Sequence, residues 1–472
     1  MNTTREFREW GHRLIDRIAD YYDEIEQYPV KSQVAPGTIL NLLPLHPPSG
    51  KESMNSIMED FEKIIMPGIT HWQSPHFHAF FPANASFPSI LAEMLTAAIG
   101  AQCMIWETSP AAAELEERMM EWLKEATGLP ASFDGVIQDT ASTATLCALL
   151  TARERYSGYG INENGFTGME KIRVYCSSET HSSIEKAVKI AGFGRKNLVK
   201  TRVDANFAMD TGHLSELIEK DLAAGNFPLC VVATIGTTGS VAVDPLEETG
   251  KICKKHGLWL HVDAAYAGSA LILDEFRWMI RGIEYADSFV FNPHKWLFTN
   301  FDCSAYFVRD REALIRTFEI LPEYLKTGSR GKVNDYRDWG IQLGRRFRAL
   351  KLWFVIRSFG ISGLRNMLRS HIHLAEEMEK WMAGSAHYEI MAPRLMNVIC
   401  FRYHPREVSD PQELDVLNER FLKLLNKTGE VYLTHTRLNG RFTIRVVLGN
   451  THIGEEHVQR LREVMNKTIN RL

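Results

Sequence analysis

The order of elements in this sequence predicts an α/β fold: a mostly parallel central sheet, preceded by a helical arm and followed by a small α+β domain. Three observations carry that prediction. Apolar residues recur at helical spacing near the N-terminus, strand-like runs alternate with helical ones from about Phe133 to Arg309, and the last part mixes helices with a hairpin. The divisions expected are residues 1–84, 85–352 and 353–472.

In the arm, Phe7, Trp10, Leu14, Ile18, Tyr21 and Ile25 predict an amphipathic helix over 7–26. Pro29, Pro36, Pro44, Pro47 and Pro48 follow, so the next segment cannot be one regular element. A helix with such a tail is too thin to bury both its faces, which points to packing on another subunit. In the central part, strands are expected at 135–138, 172–176, 229–235, 258–263, 288–291 and 304–308. Helices are expected at 141–156, 182–192, 214–224 and 246–256. Sheets of this kind gather ligands at the carboxyl ends of their strands. The last part should hold a long helix at 342–358, a strand at 398–403 and helices at 413–425 and 455–469. Its hairpin should turn at Asn439-Gly440, a type I′ signal.

Composition narrows the function classes. The chain has 472 residues, 45% hydrophobic and 24% charged, with a formal charge of −4. That balance gives no field to attract nucleic acid or an anionic membrane. Seven scattered cysteines without a Cys-x-x-Cys suit reduced thiols. The first residues lack a signal peptide's apolar core, and no uninterrupted apolar run is long enough to span a bilayer. The expectation is a cytoplasmic protein with neither nucleic acid nor membrane as partner.

The most telling stretch is Asn292-Pro293-His294-Lys295-Trp296, read together with His261-Val262-Asp263-Ala264-Ala265. One strand-like run delivers a carboxylate, the other a lysine beside a histidine. A lysine among apolar neighbours loses its proton more readily and can attack a carbonyl. Pyridoxal phosphate (PLP) is such a carbonyl on a pyridine ring, and its catalysis needs a Schiff-base lysine and an acidic partner for the ring nitrogen. Singly, Asp263 reads as a turn cap and Lys295 as a solvated loop residue. Together, at two strand ends, they point to PLP.

Other residues join them. Strand 136–138 runs into Asp139, Thr140, Ala141 and Ser142, where free N–H groups at a helix start suit a phosphate. A plain N-cap by Asp139 or Thr140 explains the same residues, and Asp139 is expected to turn away from any phosphate. Thr238, in Gly236-Thr237-Thr238-Gly239, offers a second hydroxyl. His181 is either a helix cap or a ring that stacks on a planar cofactor. Tyr324, on the loop-like segment 321–339, either closes the site and delivers a proton or is incidental. His76 and His78 share one side of a strand, but no suitable third ligand is evident nearby, so no metal is expected. Trp72, Phe77, Phe80 and Phe81 line an apolar pocket or belong to the core. Arg345-Arg346-Phe347-Arg348 reads as an amphipathic helix exposing its arginines.

These residues, in this order, resemble the group II PLP-dependent amino-acid decarboxylases, and within them the aromatic-L-amino-acid branch. The resemblance runs over nearly the whole chain. It rests on His71-Trp72-Gln73-Ser74-Pro75, His181-Ser182-Ser183, Asp263-Ala264-Ala265-Tyr266, Asn292-Pro293-His294-Lys295-Trp296, Asn300-Phe301-Asp302-Cys303-Ser304 and Leu343-Gly344-Arg345-Arg346-Phe347-Arg348. It implies an aspartate-aminotransferase-type fold (fold type I) and an intertwined homodimer with its sites at the subunit interface. It implies that Lys295 holds PLP covalently, that Asp263 pairs with the ring nitrogen and that His181 stacks on the ring. Thr140, Ala141, Ser142, Thr238, Ala265, Asn292 and His294 would surround the cofactor, and Tyr324 would protonate the substrate carbon. Trp72, Phe80, Ala83, Gln102, Met104 and Phe301 would meet the substrate, with Phe301 and 102–104 reaching the partner's site. The implied reaction converts aromatic L-amino acids (tryptophan, tyrosine, phenylalanine or DOPA) to amines and CO2. An oxygen-dependent aldehyde synthase and a non-catalytic scaffold are the alternatives. Ala83, Gln102, Met104, His76, His78 and Asp139 depart from the animal pattern, which leaves ring preference open.

Overall fold

The computed structural model describes residues 3–166, 171–320 and 332–472. Its contacts draw two compact units along lines other than the expected divisions. Met1–Pro82 groups with Leu374–Met391 and Ile399–Leu472, and Ala83–His373 groups with Ala392–Val398.

The larger unit holds strands Asp134–Gln138 (β1), Ile172–Ser177 (β2), Leu198–Thr201 (β3), Phe227–Thr234 (β4), Trp259–Asp263 (β5), Ser288–Phe291 (β6) and Ser304–Val308 (β7). They form one seven-stranded sheet in the order β1-β7-β6-β5-β4-β2-β3. β7 runs antiparallel to both its neighbours, and the remaining pairs are parallel. Every residue of β5, β6 and β7 is buried. Strands covered on both faces read as continuous apolar runs, which made these three easy to find. β3 escaped the sequence reading because it is short, lies at the sheet edge and exposes Lys200.

Register positions the site. Thr234 lies opposite Asp263, and Asp263 opposite Val290, so β4, β5 and β6 finish side by side. At the other flank Gln138, the last residue of β1, pairs with Ser304, the first of β7. The helix Ala141–Tyr156 packs small residues (Ala144, Cys147, Ala148, Ala152) into the core that covers this sheet, which keeps its start close to the strand ends.

The long helix expected at 342–358 instead runs Arg348–Ala383, with a break at Gly360, whose φ is 65°. Residues 342–347 stay out of it because the Arg345 carbonyl accepts the Cys103 N–H at 3.0 Å, which ties that stretch to a distant segment.

In the other unit, Thr3 and Glu6 form a capping box that starts the first helix at Thr4 and carries it to Asp23, with no residue buried. Strands Tyr388–Ile390 (β8), Val398–Tyr403 (β9), Thr434–Leu438 (β10) and Arg441–Val447 (β11) form a second sheet in the order β10-β11-β9-β8. The hairpin turn is the predicted one: Asn439 and Gly440 have φ of 50° and 78°. Among the described residues no helix is long and apolar enough to cross a membrane.

Candidate active site

The chain leaving β5 is stitched to the chain leaving β6. Asp263 is buried, its Oδ1 accepting the Ala265 N–H at 3.0 Å, and the Ala265 carbonyl accepts the Asn292 N–H at 3.0 Å. Asn292 Oδ1 in turn accepts from the Ser304 hydroxyl at the start of β7. Lys295 sits in the short helix Pro293–Trp296, with Pro293 starting it. Its N–H donates to the Asn292 carbonyl at 2.9 Å, and its own carbonyl accepts from Asn84 Nδ2 at 2.9 Å.

His294, beside it, is buried and accepts the Cys303 N–H on Nδ1 at 2.9 Å. Burial first, then the neighbouring Lys295 charge, push its imidazole down to about 3. It is therefore a neutral ring with its proton on Nε2. Below Asp263, the buried His261 bridges Ser288 Oγ at 2.9 Å and Thr145 Oγ1 at 3.1 Å, and burial lowers it to about 4. His261, Ser288 and Thr145 were missed in the sequence. The available signal was spacing, since His261 and Asp263 are two apart on one strand and share a face.

His181 meets the first of its readings, the helix cap. It caps the helix Ser182–Ile190, with Nδ1 accepting the Ser183 N–H at 3.2 Å. It also feels both charges of the strand ends: crowding by protein holds its imidazole below the ordinary value, while Asp263 raises it and Lys295 lowers it. His181, Asp263 and Lys295 are thus one electrostatic group.

At the end of β1, Thr140 is the N-cap, accepting the Thr143 N–H at 3.4 Å. Asp139 is occupied on both oxygens, by the Thr140 N–H at 2.6 Å and by Gln342 Nε2 at 2.8 Å. The N–H groups of Ala141 and Ser142 belong to the first turn, which has no intrahelical acceptor for them. After β4, Gly236 has φ 84°, and a Cβ there would come within 2.6 Å of Ala267 Cβ. Thr237 is buried and bonded to Ser240 and Ala242, so the exposed hydroxyl of this turn is Thr238.

The arginine run corrects the sequence reading. Arg345 and Arg348 are buried, not exposed on a helix. Arg345 reaches Glu116 at 2.6 Å, the Ile137 carbonyl at 2.8 Å and the Cys103 carbonyl at 3.2 Å. It therefore locks the segment carrying Gln102 and Met104 against β1. Arg348 grips Asp302 through two nitrogens at 2.9 and 3.2 Å, fixing the residue after Phe301. Interspersed apolar residues hid these pairs, because a buried ion pair leaves no periodic trace. Phe301 itself is exposed and packs edge-on to His294 with ring centres 4.8 Å apart. Ala83 is half-buried, next to Asn84.

Trp72 and Phe80 belong to the other unit, where they stack at 5.6 Å and stay partly exposed, while Phe77 is core. The fold also supplies the companions that His76 and His78 lacked in the sequence: Glu26 and His457 gather round His76. His76 Nε2 lies 3.0 Å from Glu26 Oε2, and His457 Nε2 lies 3.5 Å from Glu26 Oε1. His457 Nδ1 accepts the Gly454 N–H at 2.8 Å, so its proton sits on the nitrogen facing Glu26. The cluster is a histidine–carboxylate clamp. Tyr324 lies outside the described residues.

The chain matches the pyridoxal-dependent decarboxylase conserved domain over residues 36–404. It belongs to that family. Tyrosine decarboxylase 4 of Petroselinum crispum is 43% identical over 98% of this chain and 94% of its own length. Phenylacetaldehyde synthase of Arabidopsis thaliana is 41% identical over 98% and 96%. Among solved structures, the TDC of Oryza sativa with PLP and tryptamine superposes with a TM-score of 0.96 at 36% identity, covering 100% of this chain and 99% of that one. The expected fold type, the PLP cofactor and the decarboxylase class all hold for this family member.

Proposed function

We propose that this pyridoxal-dependent decarboxylase converts aromatic L-amino acids to their amines and CO2. The observation that carries the reading is the placement of Asp263 at the end of β5 beside β6, whose chain turns into the helix that holds Lys295, the two tied by the Asn292 N–H on the Ala265 carbonyl. The strand-end residues suit PLP: first-turn N–H groups of Ala141 and Ser142 with the Thr140 and Thr238 hydroxyls for a phosphate, and a buried carboxylate for a pyridinium nitrogen. Bound there, PLP supplies a sink for the electron pair released when CO2 leaves.

In this reading Lys295 Nζ would hold the cofactor. Asp263, positioned by the Ala265 N–H, keeps the ring nitrogen protonated. His181 would cover the ring, Asn292 stays fixed by Ser304, and the neutral His294 would offer its Nε2–H without adding charge. Tyr324 returns a proton to Cα. Trp72, Phe80, Ala83, Gln102, Met104 and Phe301 are assigned to the substrate. Exposed apolar residues support a homodimer: Phe7 and Ile15 on the first helix, and Phe87, Leu91, Leu95 and Ile99 on the helix Phe87–Ile99. The seven cysteines, all buried and unbridged, support a cytoplasmic setting.

The test is product analysis on B6-saturated enzyme given tryptophan, tyrosine, phenylalanine, DOPA and glutamate in turn. Amine with equimolar CO2 from an aromatic substrate is expected. Aldehyde in place of amine would favour the synthase reading, which the Arabidopsis relative brings forward. Turnover of glutamate alone would overturn the aromatic assignment.

A further inference from the structure

At the opposite end of the sheet, where β4 and β5 begin, the larger unit holds a second cavity of about 630 Å3, within the range of small-molecule sites. β5 runs from Trp259 in this cavity to Asp263, which separates the two places by roughly 13 Å at about 3.3 Å per residue. The lining is chemically selective. Arg155, Lys254 and Arg309 outnumber Glu284 and Asp287, and Trp259 and Tyr156 supply aromatic surface.

Of the two acids, Asp287 is committed within the protein. Asp287 Oδ2 accepts the Leu260 N–H at 2.8 Å, and its Oδ1 lies 3.7 Å from Arg155. The cations have donors to spare. Arg155 keeps 53% of its side-chain surface and lies 5.8 Å from the Trp259 ring centre. Arg309 donates one nitrogen to the Glu284 carbonyl, while its buried Nε has no partner among the described residues. Trp259 is buried and gives its own N–H to Ser288 at 2.9 Å, so the ring is pinned and the small part of it that meets the cavity is apolar.

We propose that this cavity is a second ligand site, taking a small aromatic carboxylate with its anion on Arg155 and Arg309 and its ring against Trp259 and Tyr156. A guanidinium pair favours a planar carboxylate, and a fixed indole favours a planar ring. The site is independent of the decarboxylation reading, since no residue of it takes part at the Lys295 end.

Indole-3-propionate is a suitable probe because it lacks the amino group needed to join PLP. Calorimetric titration uses holoenzyme whose Lys295 linkage has been reduced with borohydride. Saturable binding, one ligand per chain, is expected. Arg155→Glu and the neutral, similarly sized Arg155→Gln should each weaken it by about tenfold or more with KM at the decarboxylation site unchanged. Indole, without the carboxylate, should bind wild-type enzyme at least about tenfold more weakly, a comparison that needs no variant. Absence of saturable binding, equal affinity for indole, or binding indifferent to both Arg155 changes overturns the proposal.

Discussion

Two lysines of the larger unit, Lys351 and Lys295, show how little burial alone says about chemistry. Lys351 is fully buried 2.9 Å from Glu93, and burial pushes its ammonium down to about 8. By the argument that apolar surroundings free a lysine's lone pair, it is the better nucleophile. Yet it lies within the helix Arg348–Ala383, where it completes an ion-pair cluster with Glu93 and Arg346. Lys295 is less buried, but it stands just past β6, in the helix Pro293–Trp296, at the end of the sheet where Asp263 closes β5. On the proposed function, what separates the two lysines is placement just past one strand end, beside the end of a strand that carries an acid.

The sharpest way to break this comparison is to exchange the roles. Lys295→Ala should abolish turnover, and borohydride reduction with peptide mapping should find no B6 adduct at that position. Lys351→Met should keep the adduct at residue 295. An adduct on Lys351 in either protein would sink the distinction.

Structural cations should instead be read in stability. Arg345→Met leaves Glu116 buried and unpaired, which should cost about 3–5 kcal/mol in urea unfolding. Lys351→Met should cost less, about 1–3 kcal/mol, because Glu93 keeps Arg346. A larger loss for Lys351 than for Arg345 would reverse that ranking.

Acid should expose the buried neutral histidines. His78 and His294 are lowered to about 3, and His261 and His371 to about 4, chiefly by burial. The unfolded chain binds these protons near pH 6.5 and the folded chain does not, so stability should fall as pH drops from about 6.5 toward 4. Each such histidine contributes up to about 1.4 kcal/mol per pH unit in that window. Replacing His371 with Gln should flatten the measured slope by about one proton. An unchanged slope would mean that this ring titrates alike in both states.

The smallest effect belongs to the hairpin. Gly440→Ala, at φ 78°, should cost about 1 kcal/mol and leave activity alone, as seen by thermal melts and amine release.

Elements that obey one local rule were legible in the sequence. The fully buried strands, the Asn439-Gly440 turn and the helix Glu455–Ile469 each follow from a run, a dipeptide or a period. The ends of β5 and β6, which place Asp263 and Lys295, were legible for the same reason. What stayed hidden depends on partners distant in the chain. Arg345 looked like a surface arginine until Glu116 and Ile137 met it, and His76 looked solitary until Glu26 and His457 closed round it. His261 needed the third dimension too, since Thr145 and Ser288 lie on other elements.

The lone reversed strand has a temporal consequence. β1 touches the sheet only through β7, with Asp134 paired to Val308, so a nascent polypeptide emerging from the ribosome cannot dock its first strand until the seventh has been translated. The anchorage of the helix that starts at Ala141 is completed late for the same reason.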